Sequence, residues 1–138
     1  MNQQIIYPTD DGGVAVIVPA PECGLPIEEI AAKDVPAGKP YKIVDVADIP
    51  SDRAFRNAWF VEGNGIGHNH EKCCDITKER LRAERAPLLA ASDVAYMRAQ
   101  EAGASTTAIV AEKQRLRDVT KLVTADLSLD ALKMLKVV

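Results

Sequence analysis

The stretch DITKERLRAERAPLLAASDVAYMRAQEAG, residues 75–103, decides the fold of the C-terminal half of the chain. Asp75 can cap a helix N-terminus and Gly103 can adopt the left-handed conformation that ends a helix, so we predict a helix from Asp75 to about Ala102. Pro87 should kink this helix or mark a second start, because proline has no N–H to donate. The apolar side of the helix recurs every seven residues, at Leu81, Leu88, Ala95 and Ala102.

The remaining C-terminal residues repeat this pattern in a shorter form. Ser105 can cap a second helix that runs to about Val123, and Ser128 can cap a short last helix. Two apolar seams joined by a short loop predict an antiparallel helical hairpin, whose seam closes within the chain or between copies of it. The apolar positions are Ile109, Leu116 and Val123 in the second helix and Leu129, Leu132 and Leu135 in the last.

The N-terminal half favours β-structure. Gln4–Tyr7 and Val14–Val18 are β-favouring runs separated by a turn rich in Asp and Gly, which predicts a β-hairpin. Pro26 can open a short helix over Ile27–Lys33. Tyr41–Val46 alternates between apolar and polar residues, as a half-buried strand does.

A further helix is predicted to begin near Pro50. It would place Phe55 and Trp59 four residues apart on one face, and the glycines that follow would end it. The fold class we expect is α+β, with a strand-rich N-terminal unit, a helical hairpin and a short C-terminal helix. Its three parts are a small α+β unit over residues 1–62, a linker over 63–74 and the hairpin with its C-terminal segment over 75–138.

Composition and charge narrow the classes of partner. The net charge is −3, and it is divided into −5 over residues 1–74 and +2 over residues 75–138. This mild division does not favour nucleic acid, which needs a basic stripe, and no apolar run approaches a membrane span. The opening residues lack the basic and apolar regions of a signal peptide, so we expect synthesis in the cytoplasm with reduced thiols.

Residues 67–74, GHNHEKCC, hold both histidines and two of the three cysteines. A structural zinc needs four ligands, commonly two close pairs separated by a stretch of chain. His68, His70 and Cys73 are therefore weak metal candidates, but adjacent Cys73 and Cys74 would diverge and rarely reach one ion. A thiolate–imidazole pair is equally hard to build from residues this close in sequence. We expect a linker here, with no metal, no cofactor and no enzymatic activity.

The arginines are more informative than the histidines. Arg53 and Arg56 flank Phe55, and Arg82 and Arg85 follow the start of the predicted long helix, where the helix dipole disfavours cations. One interpretation is a solvated face that pairs with neighbouring glutamates. The other is an ionic dock for acidic residues, in the N-terminal part of the chain or in a partner.

Several phrases together resemble a known family. AAKDVPAGKPY (residues 31–41) and IPSDRAFRNAW (49–59) resemble small proteins encoded in the structural regions of tailed bacteriophages and prophages. RAERAPLL (82–89), DVAY (93–96) and KQRLRD (113–118) look like the helical end of the same family and are similar to the helical end of phage tail-fibre assembly proteins. The GHNHEKCC residues fall outside the matching phrases, which weakens the metal interpretation further.

This resemblance implies a non-enzymatic structural component of a tailed-phage particle. It would be an adaptor in the tail or neck of the virion, bound to the tail tube, the nozzle or the fibres and forming a symmetric homo-oligomer there. The alternative it implies is an assembly chaperone for tail fibres that is absent from the mature virion. Aromatic residues and arginines dominate binding hot spots, so the predicted partner-binding residues are Arg53, Phe55, Arg56, Trp59, Arg82 and Arg85.

Overall fold

The computed structural model describes residues 2–138, and it has the expected α+β class. The chain divides into two compact units, of which the first ends at Asn69 and the second runs from His70 to Val138. The first unit contains five strands and one α-helix, and the second contains three α-helices. The first unit is therefore built mainly on strand pairing, and the second on helix packing.

A three-stranded antiparallel sheet forms the centre of the first unit. Its strands are β1 (Gln3–Pro8), β2 (Val14–Ile17) and β3 (Lys42–Asp45), in the order β2-β1-β3. The predicted hairpin is confirmed as β1 and β2. Its turn closes with a hydrogen bond from the Thr9 N–H to the Gly13 carbonyl (3.0 Å), and Gly12 supplies the positive φ that the turn requires.

Both faces of this sheet are covered, because neighbouring residues of a strand point to opposite sides. Ile5 packs against Ile30 and Ala31 of α1 (Ile27–Asp34), the helix predicted after Pro26. Ile6 points the other way and packs in a cluster with Val14, Val44, Ile49 and Trp59. Neither isoleucine is exposed to solvent, so β1 is the central element of the core.

The prediction of a helix over residues 50–59 is wrong. A single 3₁₀ turn, Arg56–Ala58, is followed at once by β4 (Trp59–Glu62), which pairs with β5 (Gly65–His68). The hairpin loop consists of the two residues between them, Gly63 and Asn64, and such Gly-Asn pairs are a strong hairpin signal. The Phe55–Trp59 spacing, which suggests a helix face, has no helix to support it.

The predicted linker over residues 63–74 is also wrong. It contains the second strand of this hairpin and the first turn of the long helix α2 (His70–Glu101). The helix begins five residues before Asp75 and runs through Pro87 without a second start. Its C-terminus follows the prediction: Gly103 has φ +69°, and Ala104 N–H donates to the Ala99 carbonyl (2.8 Å) in a Schellman motif.

The rest of the second unit is α3 (Thr107–Asp118), a 3₁₀ turn (Val119–Leu122) and α4 (Leu129–Met134). Ser128 caps α4 as predicted, since its Oγ accepts a hydrogen bond from Ala131 N–H (3.1 Å). The Ser105 hydroxyl accepts from Thr107 N–H (3.3 Å) at the start of α3. The α-helix ends five residues before the predicted Val123, because the last turn tightens into the 3₁₀ form.

The seam between α2 and α3 follows the predicted seven-residue repeat only in the part that contains Leu81 of α2 and Leu116 of α3. Leu81 and Leu116 are buried, Leu88 is half-buried, and Ala95 and Ala102 are exposed. An α-helix drifts by about 20° per seven residues relative to a strict heptad, so the repeat rotates away from the partner helix. From Leu81 onward, the residues of α2 that are buried or half-buried are Leu81, Arg85, Leu88, Leu89, Ser92, Tyr96 and Ala99.

Candidate functional site

In the first unit, two arginines stack on the indole ring of Trp59. The Arg56 guanidinium carbon lies 4.7 Å from the ring centroid, and that of Arg53 lies 5.8 Å away. Arg56 Nη2 also donates to the Val14 carbonyl (2.7 Å), at the first residue of β2. Burial and the like charge of Arg53 lower the pKa of Arg56 below its ordinary value. The 3₁₀ turn that carries Arg56 is thus fastened to the sheet.

The predicted anchors Phe55 and Trp59 lie in the core. Their exposed fractions are 4% and 1%, so neither side chain is presented to a partner. Trp59 packs in the Ile6 cluster, and the edge of its ring meets His68 with 6.4 Å between ring centroids. Its Nε1 has no hydrogen-bond partner among residues 2–138, which leaves a buried donor unpaired. Of the four predicted residues in this unit, only Arg53 is exposed.

The two predicted arginines of α2 have different surroundings. Arg82 is exposed and pairs with Glu79 on the same helix. Arg85 crosses to the end of α3, where its Nη1 donates to the carbonyls of Leu116 (3.2 Å) and Arg117 (2.8 Å). The Leu116 carbonyl also accepts from the Val119 N–H, but carbonyls at a helix C-terminus lie at the negative end of the helix dipole and favour a cation. Arg85 is therefore a structural cap within the unit, which leaves Arg82 as the accessible arginine of this pair.

Two further arginines hold the C-terminal segment, and sequence analysis did not assign them a role. Arg80 donates to the carbonyls of Leu132 (3.0 Å) and Leu135 (2.7 Å) at the end of α4. Arg115 donates to the Val137 carbonyl (2.8 Å), and Val137 N–H donates to Glu84 (3.4 Å). The signal for Arg80 in the sequence was the crowding of cations near the predicted helix start, where the helix dipole disfavours them. Arg115 lies in the last turn of α3, where a cation is favoured and gives no such signal.

The metal candidates do not form a site. No group of three or more His, Cys, Asp or Glu side chains is placed to share an ion in the part of the chain that the structure describes. His70 Nε2 donates to the Leu127 carbonyl (2.6 Å), while its Nδ1 faces the Cys74 sulfur at 3.6 Å. Cys73 is completely buried, and burial raises the pKa of its thiol. These side chains serve the packing of the second unit.

Several large apolar side chains are exposed, and they lie outside the arginine and histidine contacts described above. In the first unit, Val18, Leu25 and Val46 line a cleft of about 590 Å³ between the end of β2 and the start of α1. In the second unit, Val94 and Met97 on α2 and Val110 on α3 are exposed. Such positions are candidates for contact with other proteins when several lie on one face.

Among residues 2–138, no helix combines the length and the apolar character needed to cross a membrane. The 32-residue α2 is long enough, but charged residues occur throughout it. Comparisons with family models, with curated proteins and with solved structures found no match to this chain.

Proposed function

We propose that this chain is a non-enzymatic structural protein of a tailed-phage particle, an adaptor in the tail or neck that links larger proteins such as the tail tube or nozzle and the fibres. The phage setting is supported by the phrases over residues 31–41, 49–59, 82–89, 93–96 and 113–118, which resemble proteins of that class. The adaptor role is supported by the arrangement of apolar surface. An adaptor must bind two neighbours, and each unit of this chain has its own exposed apolar residues.

The observation that carries the proposal is the pair of surfaces in separate units. The first unit has the cleft lined by Val18, Leu25 and Val46, and the second has Val94 and Met97 on α2. Binding energy in protein interfaces is concentrated in a few well-packed side chains. Exposed valine, leucine and methionine side chains can pack into apolar pockets on the surface of a partner. Arg53 and Arg82 are exposed as well and are the predicted arginines still accessible to acidic groups of a partner.

The contacts and burial of the potentially catalytic side chains also support a structural role. His70 and Cys74 are the nearest approach to a nucleophile–base pair, and the His70 Nε2–H is committed to the Leu127 carbonyl. Cys73 lies in the core with a raised pKa, a state that disfavours the reactive thiolate. These residues hold elements of the second unit together.

The test is quantitative mass spectrometry of purified phage particles, with the portal protein as the reference for copy number. A fixed ratio to the portal, such as a multiple of three or six copies per particle, is the expected result for a component of the virion. Absence from particles together with abundance in the lysate of infected cells would overturn the adaptor and favour the assembly chaperone. As a control, a scaffold-type protein that leaves the particle should be absent from the same preparation.

A further inference from the structure

The long helix α2 has two apolar faces, of which the α2–α3 seam uses only one. The unused face is a stripe of five residues, here called the outer stripe: Ala83, Pro87, Ala90, Val94 and Met97. All five side chains are exposed, and their intervals of four and three residues follow the a/d spacing of a coiled coil. At about 100° per residue, the outer stripe lies roughly opposite the face that packs on α3.

We infer that the outer stripe is a self-association surface, on which α2 of a second copy of this chain packs in antiparallel orientation. The inference deepens the proposed function by naming one partner, and it rests on that function only for its biological setting. A twofold arrangement presents the same face on both copies, so one helix supplies both halves of the interface.

The residue types on the outer stripe suit a close helix pair. Alanine at positions 83 and 90 lets two backbones approach, and Val94 and Met97 supply the apolar area that such a contact buries. With the twofold axis near residue 92, Val94 lies against Ala90 of the second copy and Met97 lies against Pro87. Each large side chain therefore meets a smaller one, which fills the interface without crowding.

The charges beside the outer stripe decide the orientation. In a parallel pair, Glu101 would face Glu101 of the other copy in line with the stripe and Glu79 would approach Glu84, so two contacts between like charges would outweigh the one favourable contact, between Asp93 and Arg98. In the antiparallel pair, Glu84 comes beside Arg98 of the other copy, which would add a second cation to the one that Glu84 already has in Arg80 of its own chain (3.0 Å). Glu101 comes beside Ala83. Opposite charges at such flanking positions set the orientation of helix pairs.

One pair of like charges remains near the axis of the antiparallel pair. Asp93 approaches its own counterpart there, but it is already paired with Lys113 of its own chain, with Nζ and Oδ1 2.7 Å apart. Lys113 also lies over the ring of Tyr96 at 5.1 Å. This ion pair partly offsets the carboxylate charge near the axis within each copy, which weakens the repulsion between the two Asp93 side chains.

The outer stripe spans about 21 Å of helix, at about 1.5 Å per residue, so the interface is small. Interfaces below the standard size are usually transient, and we expect a dissociation constant in roughly the micromolar range. In a particle, symmetric neighbours would raise the effective concentration far above that value. The free protein should therefore show a monomer–dimer equilibrium.

Sedimentation equilibrium of the full chain tests this inference. The wild-type protein should dimerise with concentration, and Val94→Lys should raise the dissociation constant at least about tenfold, since a lysine placed in an apolar interface loses its hydration. The matched control is Val110→Lys on α3: Val110 is 48% exposed, between Val94 (42%) and Met97 (58%), but lies off the outer stripe. A wild-type monomer at about 1 mM, or an equal effect of both variants, would overturn the inference.

Disulfide cross-linking tests the orientation, in a background in which the accessible Cys23 and Cys74 are replaced by serine. A mixture of Ala83→Cys and Glu101→Cys chains should form a mixed disulfide-linked dimer, and neither variant should do so alone. In a parallel pair, each variant would instead link to itself, because the two positions are about 27 Å apart along the helix. Both tests use the free protein, so their outcome does not depend on whether the chain enters phage particles.

Discussion

The guanidinium of Arg56 lies 4.7 Å from the centroid of the Trp59 ring while its Nη2 donates to the Val14 carbonyl at 2.7 Å. One side chain thus joins the 3₁₀ turn before β4 to the start of β2. The cation covers the face of a buried aromatic ring, and the hydrogen bond satisfies a carbonyl at a strand end. Arg56 is therefore a structural residue of the first unit.

Arg56→Met should destabilise the protein by roughly 1–3 kcal/mol, because it removes a charge-assisted hydrogen bond and a cation–π contact while keeping most of the packing. The measurement is urea denaturation of the full chain. The control is Arg53→Met: Arg53 is exposed and lies 5.8 Å from the same ring, so its loss should cost well under about 1 kcal/mol. Equal losses in the two variants would contradict the role given to Arg56.

Arg85→Met should fray the C-terminal end of α3. The two carbonyls that Arg85 satisfies, those of Leu116 and Arg117, would lose a charged donor, at a cost of roughly 1.5–3 kcal/mol. Amide hydrogen exchange should be faster over the last turn of α3, and the urea midpoint should fall. Arg82→Met is the matched control, since an exposed ion pair with Glu79 contributes only about 0–1 kcal/mol. Unchanged exchange in Arg85→Met would show that the carbonyls need no cap.

Gly67→Ala should destabilise the β4–β5 hairpin. Gly67 pairs directly with Phe60, and a Cβ at Gly67 would lie 2.7 Å from the Phe60 ring, closer than real Cβ contacts allow. Overpacking of this kind costs roughly 1–3 kcal/mol. In Gly65→Ala, the control in the same strand, the nearest atom is the Glu62 carbonyl oxygen at 3.9 Å, so the change should be tolerated. The melting temperatures of the two variants decide between the expectations.

Cys73 should stay unreactive in the folded protein, because it is buried and burial raises the pKa of its thiol. A thiol reagent should modify exposed Cys23 quickly and Cys73 only on unfolding. The raised pKa also fixes the sign of a pH effect. Above the ordinary thiol pKa of about 8.5, the unfolded chain releases a proton that the folded chain keeps, so the free energy of unfolding falls as the pH rises.

Cys73→Ala is the control for this alkaline loss of stability. The variant is less stable at neutral pH because it leaves a small cavity, but its stability should depend less on pH above about 8.5. Identical pH profiles of the variant and the wild-type protein would show that Cys73 does not titrate differently on folding. Rapid labelling of Cys73 in the folded protein would contradict its burial.

The helical half shows how much of the structure can be predicted from residue spacing and helix-capping signals alone. Gly103 ends α2 and Ser128 starts α4, because these signals act within a few residues and need no distant partner. The first hairpin was predictable for the same reason. The β4–β5 hairpin was missed because Phe55 and Trp59 mimic a helix face, although Gly63 and Asn64 carried the turn signal.

The sequence by itself determined the class of the fold, the order of most elements and the stops between them, since these follow from local backbone preferences. Only the tertiary structure decided what the arginines and aromatics do. Arg56 donates to the Val14 carbonyl, 42 positions away in the sequence, and Arg85 donates to the Leu116 carbonyl, 31 positions away. A sequence shows that a cation is present, but its role depends on which carbonyl or ring the folded chain brings within hydrogen-bonding or stacking distance.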